Sequence, residues 1–184
     1  PKLKNKNYYT YGLNKKSNFY ISNIIQKKNF SKFDIKIKIP GKQRVLKNLT
    51  IPLIGVHNIK NAASALSVAF SIGVSDKIIK KGLKNFKGVQ RRFNYLFEKN
   101  QIPFFDDYAH HPTEIESVLD GVKKVYNEEE IVCIFQPHRI SRVRSLKKEF
   151  SKCFKKANTI LLCPIYKAGE NIKLGFSYES FARL

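Results

Sequence analysis

Three of the four histidines, His110, His111 and His138, stand in two short polar runs, D-D-Y-A-H-H-P (106–112) and Q-P-H-R-I-S-R (136–142); a third run is Y-K-A-G-E (166–170). Adjacent imidazoles such as His110 and His111 cannot easily ligate one metal ion. Neither a helix-spaced His-x-x-x-His nor a cysteine partner is present, so no metal site is expected from them. His111 precedes Pro112, and two readings are open for it: a helix entry whose imidazole satisfies backbone donors, or a contact to a ligand. Asp106 and Asp107 resemble a carboxylate pair, but neighbours on a strand point to opposite faces and do not share a proton. One of the two is expected to face the ligand. Arg139, Arg142 and Arg144 bracket a helix start behind Pro137 and His138. Guanidinium forks bind carboxylate or phosphate with two parallel bonds, although a solvated helix face is the expected fate of Arg144. The Gly41-Lys42 pair lacks a glycine five positions earlier and sits in a hairpin, so the chain by itself cannot cradle a triphosphate in a phosphate loop.

The elements that must position these residues can be read from periodicity. Residues 19–25, 33–39 and 45–53 read as strands, and F-D-I-K-I-K-I alternates with period two, as a half-exposed antiparallel strand does. Pro40-Gly41 makes a turn. From Asn58 to Ile72 the spacing changes to three and four residues, which predicts a helix ended by Gly73, with His57 at its start. A second helix begins at Ser75 or Asp76, runs to about Phe86, and is followed by Gly88. Beyond Phe93 the pattern becomes strand (102–106), helix (about 113–126), strand (131–135), helix (142–156) and strand (159–163). Strands alternating with helices imply a parallel sheet with right-handed crossovers, and ligands bind at the carboxyl ends of such strands. Each of the three polar runs follows one of these strands.

The chain has 184 residues, 42% of them hydrophobic, which permits a sizeable core, and it contains no apolar run of the ~20 residues that a membrane span requires. It has no methionine and opens on Pro1-Lys2-Leu3 without a basic-then-apolar leader, so it is expected to be a piece of a longer protein. Cys133, Cys153 and Cys163 are too few and too scattered for a disulfide framework and read as thiols in a reducing cytoplasm. The net charge of +21 suggests nucleic acid until it is mapped: residues 1–50 carry 13 basic and 1 acidic side chains, whereas 101–150 carry 7 and 9. Lysine supplies 28 of the 35 basic residues beside 15 asparagines, the composition expected of an AT-rich genome. A solvated basic surface that steers small anions such as nucleotides is therefore favoured over a nucleic-acid site. A basic nucleic-acid-binding module remains the remote alternative.

Five runs in order, G-V-H-N-I-K-N-A-A-S-A-L (55–66), F-K-G-V-Q-R-R-F (86–93), D-D-Y-A-H-H-P-T-E-I (106–115), F-Q-P-H-R-I-S-R (135–142) and Y-K-A-G-E (166–170), resemble the Mur ligase family. The resemblance spans about residues 8–184. The pairing of the third and fourth runs is similar to the alanine-adding member, with another Mur-type or folylpolyglutamate-like amide ligase as the alternative. The fold it implies is α/β: residues 1–88 as the end of a P-loop-type central domain with a small antiparallel sheet, and 89–184 as a partial Rossmann-like, amino-acid-binding domain. It further implies an ATP- and magnesium-dependent reaction in the bacterial cytoplasm, with ATP, UDP-N-acetylmuramate and L-alanine as partners. The phosphate loop and magnesium ligands would lie upstream of Pro1 and the last strands beyond Leu184, so the chain alone is expected to be inactive. Carried over residue by residue, His57, Asn58 and Asn61 would hold adenine, Arg92 would reach toward the phosphates and Asp107 would accept bonds from ribose. Tyr108, His110, His111, His138, Arg139 and Arg142 would surround the alanine and the reacting carboxyl, with His111, Arg139 and Arg142 nearest the chemistry. Arg92 is followed by Phe93-Asn94 where relatives often carry an acidic third residue.

Overall fold

Alternation in F-D-I-K-I-K-I becomes the central strand of an antiparallel meander. The computed structural model describes residues 8–86, 88, 89 and 91–183. The opening Pro1-Lys2-Leu3 lies outside the described residues, as do Lys87 and Gln90 of the second run. Two compact units result, Pro1–Val89 and Gln90–Leu184.

In the first unit, β1 (Tyr11–Gly12) pairs parallel with β2 (Phe19–Lys27), and β2, β3 (Phe30–Ile39) and β4 (Lys42–Ile51) pair antiparallel in sequence order. β1 was not among the expected strands, being too short to show a period. Phe33, Ile35 and Ile37 of β3 are buried while Lys36 and Lys38 face outward. That buried face packs against α1 (Val56–Ser71) through Ile59, Ala63, Leu66 and Phe70, and against α2 (Asp76–Asn85) through Ile79. Asp76 accepts a 2.8 Å bond from Arg44, tying α2 to β4. Two bulges interrupt the ladder, one on β2 between Ser22 and Ile25 and one on β4 opposite the Phe33–Ile35 step of β3. Asn23 (φ 51°) and Asn48 (φ 59°) take the left-handed conformations that bulges require, one that asparagine tolerates better than most residues. Asp34, buried between the bulges, serves both: its carboxylate accepts from Asn23 Nδ2 at 2.7 Å and from the Asn48 amide at 2.8 Å.

The second unit differs from expectation at its start. Ile102–Asp106 does not join a parallel sheet; as β6 it forms an antiparallel hairpin with β5 (Asn94–Lys99), which the periodicity did not reveal. β5 is exposed along most of its length, so no burial alternation marks it. The two-residue turn Asn100-Gln101 has φ of 52° and 65°, the pattern of a type I′ hairpin, without the glycine that usually announces one. The rest follows the expected βαβ order. α3 (Pro112–Val125) has Pro112 in its first turn and Lys123 and Lys124 in its last. β7 (Val132–Phe135) and β8 (Thr159–Leu162) pair parallel, Val132 opposite Thr159. Their crossover is two helices, α4 (Ile140–Ser145) and α5 (Lys147–Cys153), broken at Leu146 (φ −116°) where one helix over 142–156 was expected. α6 (Tyr178–Ala182) closes the unit, placing Phe181 in a core with Ile115, Leu119, Phe135, Val143 and Phe150. All three cysteines are free thiols; burial pushes Cys133 up to about 11 and Cys153 to about 12. Thiols held so far above neutral pH are poor nucleophiles.

Candidate functional site

The first group of site residues stands at the entry to α1. Its N-cap, Gly55, has φ 94°, and a Cβ there would lie 2.5 Å from His57 Cε1, so the imidazole folds over a position only glycine can fill. Asn58 is buried, and its Nδ2 donates to the Ile54 carbonyl at 2.8 Å, fixing the strand-to-helix junction. Asn61 is exposed, one turn beyond His57 and on the same face. The three residues expected to act together are thus divided: His57 and Asn61 on one face, Asn58 holding the backbone beneath them.

The second group gathers where β6, β7 and β8 end. Asp107 accepts from the Phe93 amide at 2.8 Å and from the Ala109 amide at 2.7 Å, so its carboxylate shapes the loop that presents the histidines. Asp106 instead lies 3.7 Å from Arg91, whose guanidinium covers the Tyr108 ring at 4.7 Å. The two aspartates have separate partners, as their alternation on the strand requires. Asn94 Oδ1 accepts from the Arg92 amide at 3.0 Å, so the amide in place of an acidic residue still serves the turn.

His111 caps α3. Its Nδ1 accepts from the Thr113 amide at 3.3 Å, while Glu114 accepts from the amides of His110 at 3.1 Å and His111 at 3.3 Å, completing a capping box. The helix-entry reading is therefore realised; with Nδ1 accepting, a neutral His111 carries its proton on Nε2. His110 instead bears a proton on Nδ1, which lies 2.9 Å from the Tyr108 carbonyl, a group that can only accept. Burial raises the Glu114 carboxyl, but the two amide bonds and the charges of His110 and Arg92 outweigh it, leaving its pKa below the ordinary value. Arg92 Nη1 lies 3.9 Å from that carboxylate.

Across the loops, the His138 ring lies 5.2 Å from Tyr166, 6.0 Å from His110 and 6.5 Å from Tyr108, centroid to centroid. Arg142 Nη1 donates to the His138 carbonyl at 3.1 Å and lies 3.4 Å from its Nδ1. Burial first, then the charges of Arg142, His110 and Arg139, lower the His138 pKa; Glu170 offsets them only in part. We expect His138 ring resonances in an NMR pH titration to move with a midpoint below the ordinary ~6.5; a midpoint above it would contradict the packing of cations around the ring. The unfolded chain binds this proton more readily, so the stability His138 contributes is complete above about pH 6.5 and lost as pH falls through the lower folded value.

Arg139 is the N-cap of α4 with φ 70°, a conformation that costs a non-glycine residue about 1–3 kcal/mol and gathers at functional sites. Its amide donates to the Tyr166 carbonyl at 2.9 Å, and the Tyr166 amide to the Pro137 carbonyl at 2.8 Å. Glu170 accepts from the Ser141 amide at 2.9 Å and from its hydroxyl. Sequence reasoning did not assign Glu114, Tyr166 or Glu170. Glu114 stands at the third position of a capping box and could have been found; Glu170 could not, because its partner lies in a different run. Among the described residues no group of three histidine, cysteine or acidic side chains converges to hold a metal ion, and no helix is long and apolar enough to cross a membrane.

The loops that follow the hairpin strand β6 and the parallel strands β7 and β8 bring arginines, histidines and carboxylates together at the carboxyl ends of strands, where α/β units bind ligands, and a meander-and-helix unit with a polar helix entry precedes them in the chain. The chain belongs to the Mur ligase family: residues 91–183 match the family's domain described as "Mur ligase, glutamate ligase domain", and residues 1–69 match the "Mur ligase middle domain". It is 60% identical over 99% of its length to the UDP-N-acetylmuramate–L-alanine ligase of Pelagibacter ubique, and 41% identical over 97% to that of Agrobacterium fabrum. It spans 39% and 38% of those two relatives. The crystal structure of the UDP-N-acetylmuramate-alanine ligase of Thermotoga maritima superposes with a TM-score of 0.69 at 29% identity, covering 88% of this chain and 35% of that one.

Proposed function

We propose that this chain is part of an ATP-dependent ligase that joins L-alanine to UDP-N-acetylmuramate in cytoplasmic peptidoglycan precursor synthesis. The observation that carries this reading is the 60% identity along 99% of the chain to a relative of that name. In the reaction a carboxylate oxygen of the muramyl group attacks the γ-phosphorus of ATP, ADP departs and an acyl phosphate forms. The amine of alanine then attacks the acyl carbon, phosphate leaves and the amine gives up a proton. Carboxylate and amine do not condense unaided in water, so the protein's share is positioning and charge stabilisation.

In this reading residues 1–88 end the central domain and 89–184 begin the amino-acid-binding domain. His57 and Asn61 meet the adenine edge, an amide offering it both donor and acceptor, while Asn58 steadies them through Ile54. Arg92 reaches the nucleotide phosphates. Asp107 accepts hydrogen bonds from the ribose hydroxyls. Tyr108, His110, His111 and His138 wall the amino-acid site, and Arg139 and Arg142 take its carboxylate. Among the described residues no group of three histidine, cysteine or acidic side chains converges to hold magnesium. The test is the full-length reading frame, purified and assayed for phosphate release. Release should require ATP, UDP-N-acetylmuramate and L-alanine together, with product mass greater by one alanyl residue. Turnover with a folate or a preformed peptide in place of these substrates would replace the reading with that of another amide ligase.

A further inference from the structure

α4 has only six residues, too few to hold its shape by its own cooperativity, yet Arg139 caps it and Arg142 projects from it. The Arg139 cap makes no side-chain hydrogen bond to the helix. One of the amides that the first turn leaves without an intrahelical partner, that of Ser141, is taken by Glu170, which belongs to the loop after β8. The same carboxylate accepts from the Ser141 hydroxyl, so both of its oxygens are committed to one residue. The loop that carries it is itself anchored: His138 and Tyr166 form a parallel bridge, the Glu170 amide donates to Lys167 at 3.1 Å, and Ala168 and Gly169 turn with φ of 51° and 80°.

We propose that Glu170 is a positioning residue for the ligase reaction: from the third loop it clasps Ser141 and so fixes the backbone from which Arg139 and Arg142 reach the amino-acid carboxylate. The inference rests on the function proposed above. The bonds from the Ser141 hydroxyl and amide hold the Glu170 carboxyl below its ordinary pKa, so the clasp is ionised throughout the neutral range. Glu170 is no part of the core formed by Ile115, Phe135, Val143 and Phe150, so its loss changes aim without removing packing. A small error in aim is enough, because a guanidinium binds a carboxylate with two parallel bonds only when its plane meets the two oxygens squarely.

The test uses the full-length enzyme with Glu170→Ala, Ser141→Ala and the double variant, with thermal melting as a check on folding. Glu170→Ala should raise the KM for L-alanine about tenfold and leave the KM for ATP within about twofold, the split expected when only the amino-acid grip is misaligned. Ser141→Ala, which keeps the amide bond, should have a smaller effect, and the double variant should be no worse than Glu170→Ala, because the two residues form one contact. If Glu170→Ala fails to fold, Glu170→Gln, which retains an acceptor for the amide, should show the same split in weaker form. An unchanged KM for alanine, an equal rise in the KM for ATP, or strict additivity overturns the proposal. Wild type run in parallel separates the two levels: no alanine-dependent turnover there sinks the ligase reading and this proposal with it. Turnover that Glu170→Ala leaves untouched sinks only the clasp.

Discussion

Arg142→Lys in the full-length enzyme is expected to lower kcat/KM for L-alanine roughly 10- to 100-fold while leaving the KM for ATP nearly unchanged, the range that one lost charge-assisted bond of about 1.5–3 kcal/mol implies. One Nη1 of Arg142 is engaged by the His138 carbonyl, which orients the guanidinium plane and leaves its other donors for a carboxylate. A lysine keeps the charge but not the planar fork, and its ammonium cannot hold His138 and a carboxylate in the same two-pronged arrangement. In the proposed ligase, selection of alanine over glycine would rest on space for one methyl group, worth only about 1–3 kcal/mol and separate from this arginine. Both amino acids should therefore lose in similar proportion. The measurement is the pair of specificity constants for alanine and glycine in wild type and variant. An unchanged alanine constant, or a loss confined to ATP, would remove Arg142 from the amino-acid site.

The largest effect on stability is expected at Asp34. Asp34→Ala removes the acceptor for both the Asn48 amide and the Asn23 side chain; Asp34 itself is buried, while Asn23 and Asn48 are exposed. Hydrogen bonds to a charged group are worth about 1.5–3 kcal/mol each, and since water can reach both exposed donors once the carboxylate is gone, the loss should be about that of one such bond, roughly 1.5–3 kcal/mol. That is a large share of the 5–15 kcal/mol typical of a domain. Urea denaturation of the full-length enzyme, followed by a probe in this unit, should show a lowered midpoint. Asp34→Asn should lie between, because it can still accept from one donor. A midpoint for Asp34→Ala within about 0.5 kcal/mol of wild type, the scale of ordinary surface substitutions, would mean that the bulges hold without the carboxylate.

Elements with a strong local period were legible in the sequence. The alternation of β3, the helical spacing of Ile59, Ala63, Leu66 and Phe70, and the order of β6, α3, β7 and β8 all follow from patterns within a dozen residues. What escaped is what depends on partners distant in sequence or on exposed strands. β5 has almost no buried face and so no pattern to read, and its pairing turned β6 from a member of a parallel sheet into half of a hairpin. The break at Leu146 lies in a run whose apolar residues suit one continuous helix. In the site, the polar runs and their arginines and histidines were visible as residue types at strand ends. The division of labour was not: that Asn58 faces inward while Asn61 faces out, or that Asp107 binds the Phe93 amide, depends on side-chain direction. Glu170 belonged to a recognised run, yet its role depends on Ser141, a residue of another loop.

The contrast between the meander and the βαβ unit also has a kinetic side. In β2–β3–β4 every strand pairs with its neighbour in sequence, as where Ile39 meets Lys42 across a tight turn, so little chain entropy is lost in closing each ladder. β8 reaches β7 only after the whole crossover that contains α4 and α5 has been traversed. Ladders built from near neighbours assemble quickly, and those that close long loops assemble slowly. The loop bearing Glu170 follows β8, so its clasp on Ser141 belongs to the late-closing part of the second unit. The amino-acid grip proposed above would thus be set by contacts that form after the surrounding hairpin and helices have local means to take shape.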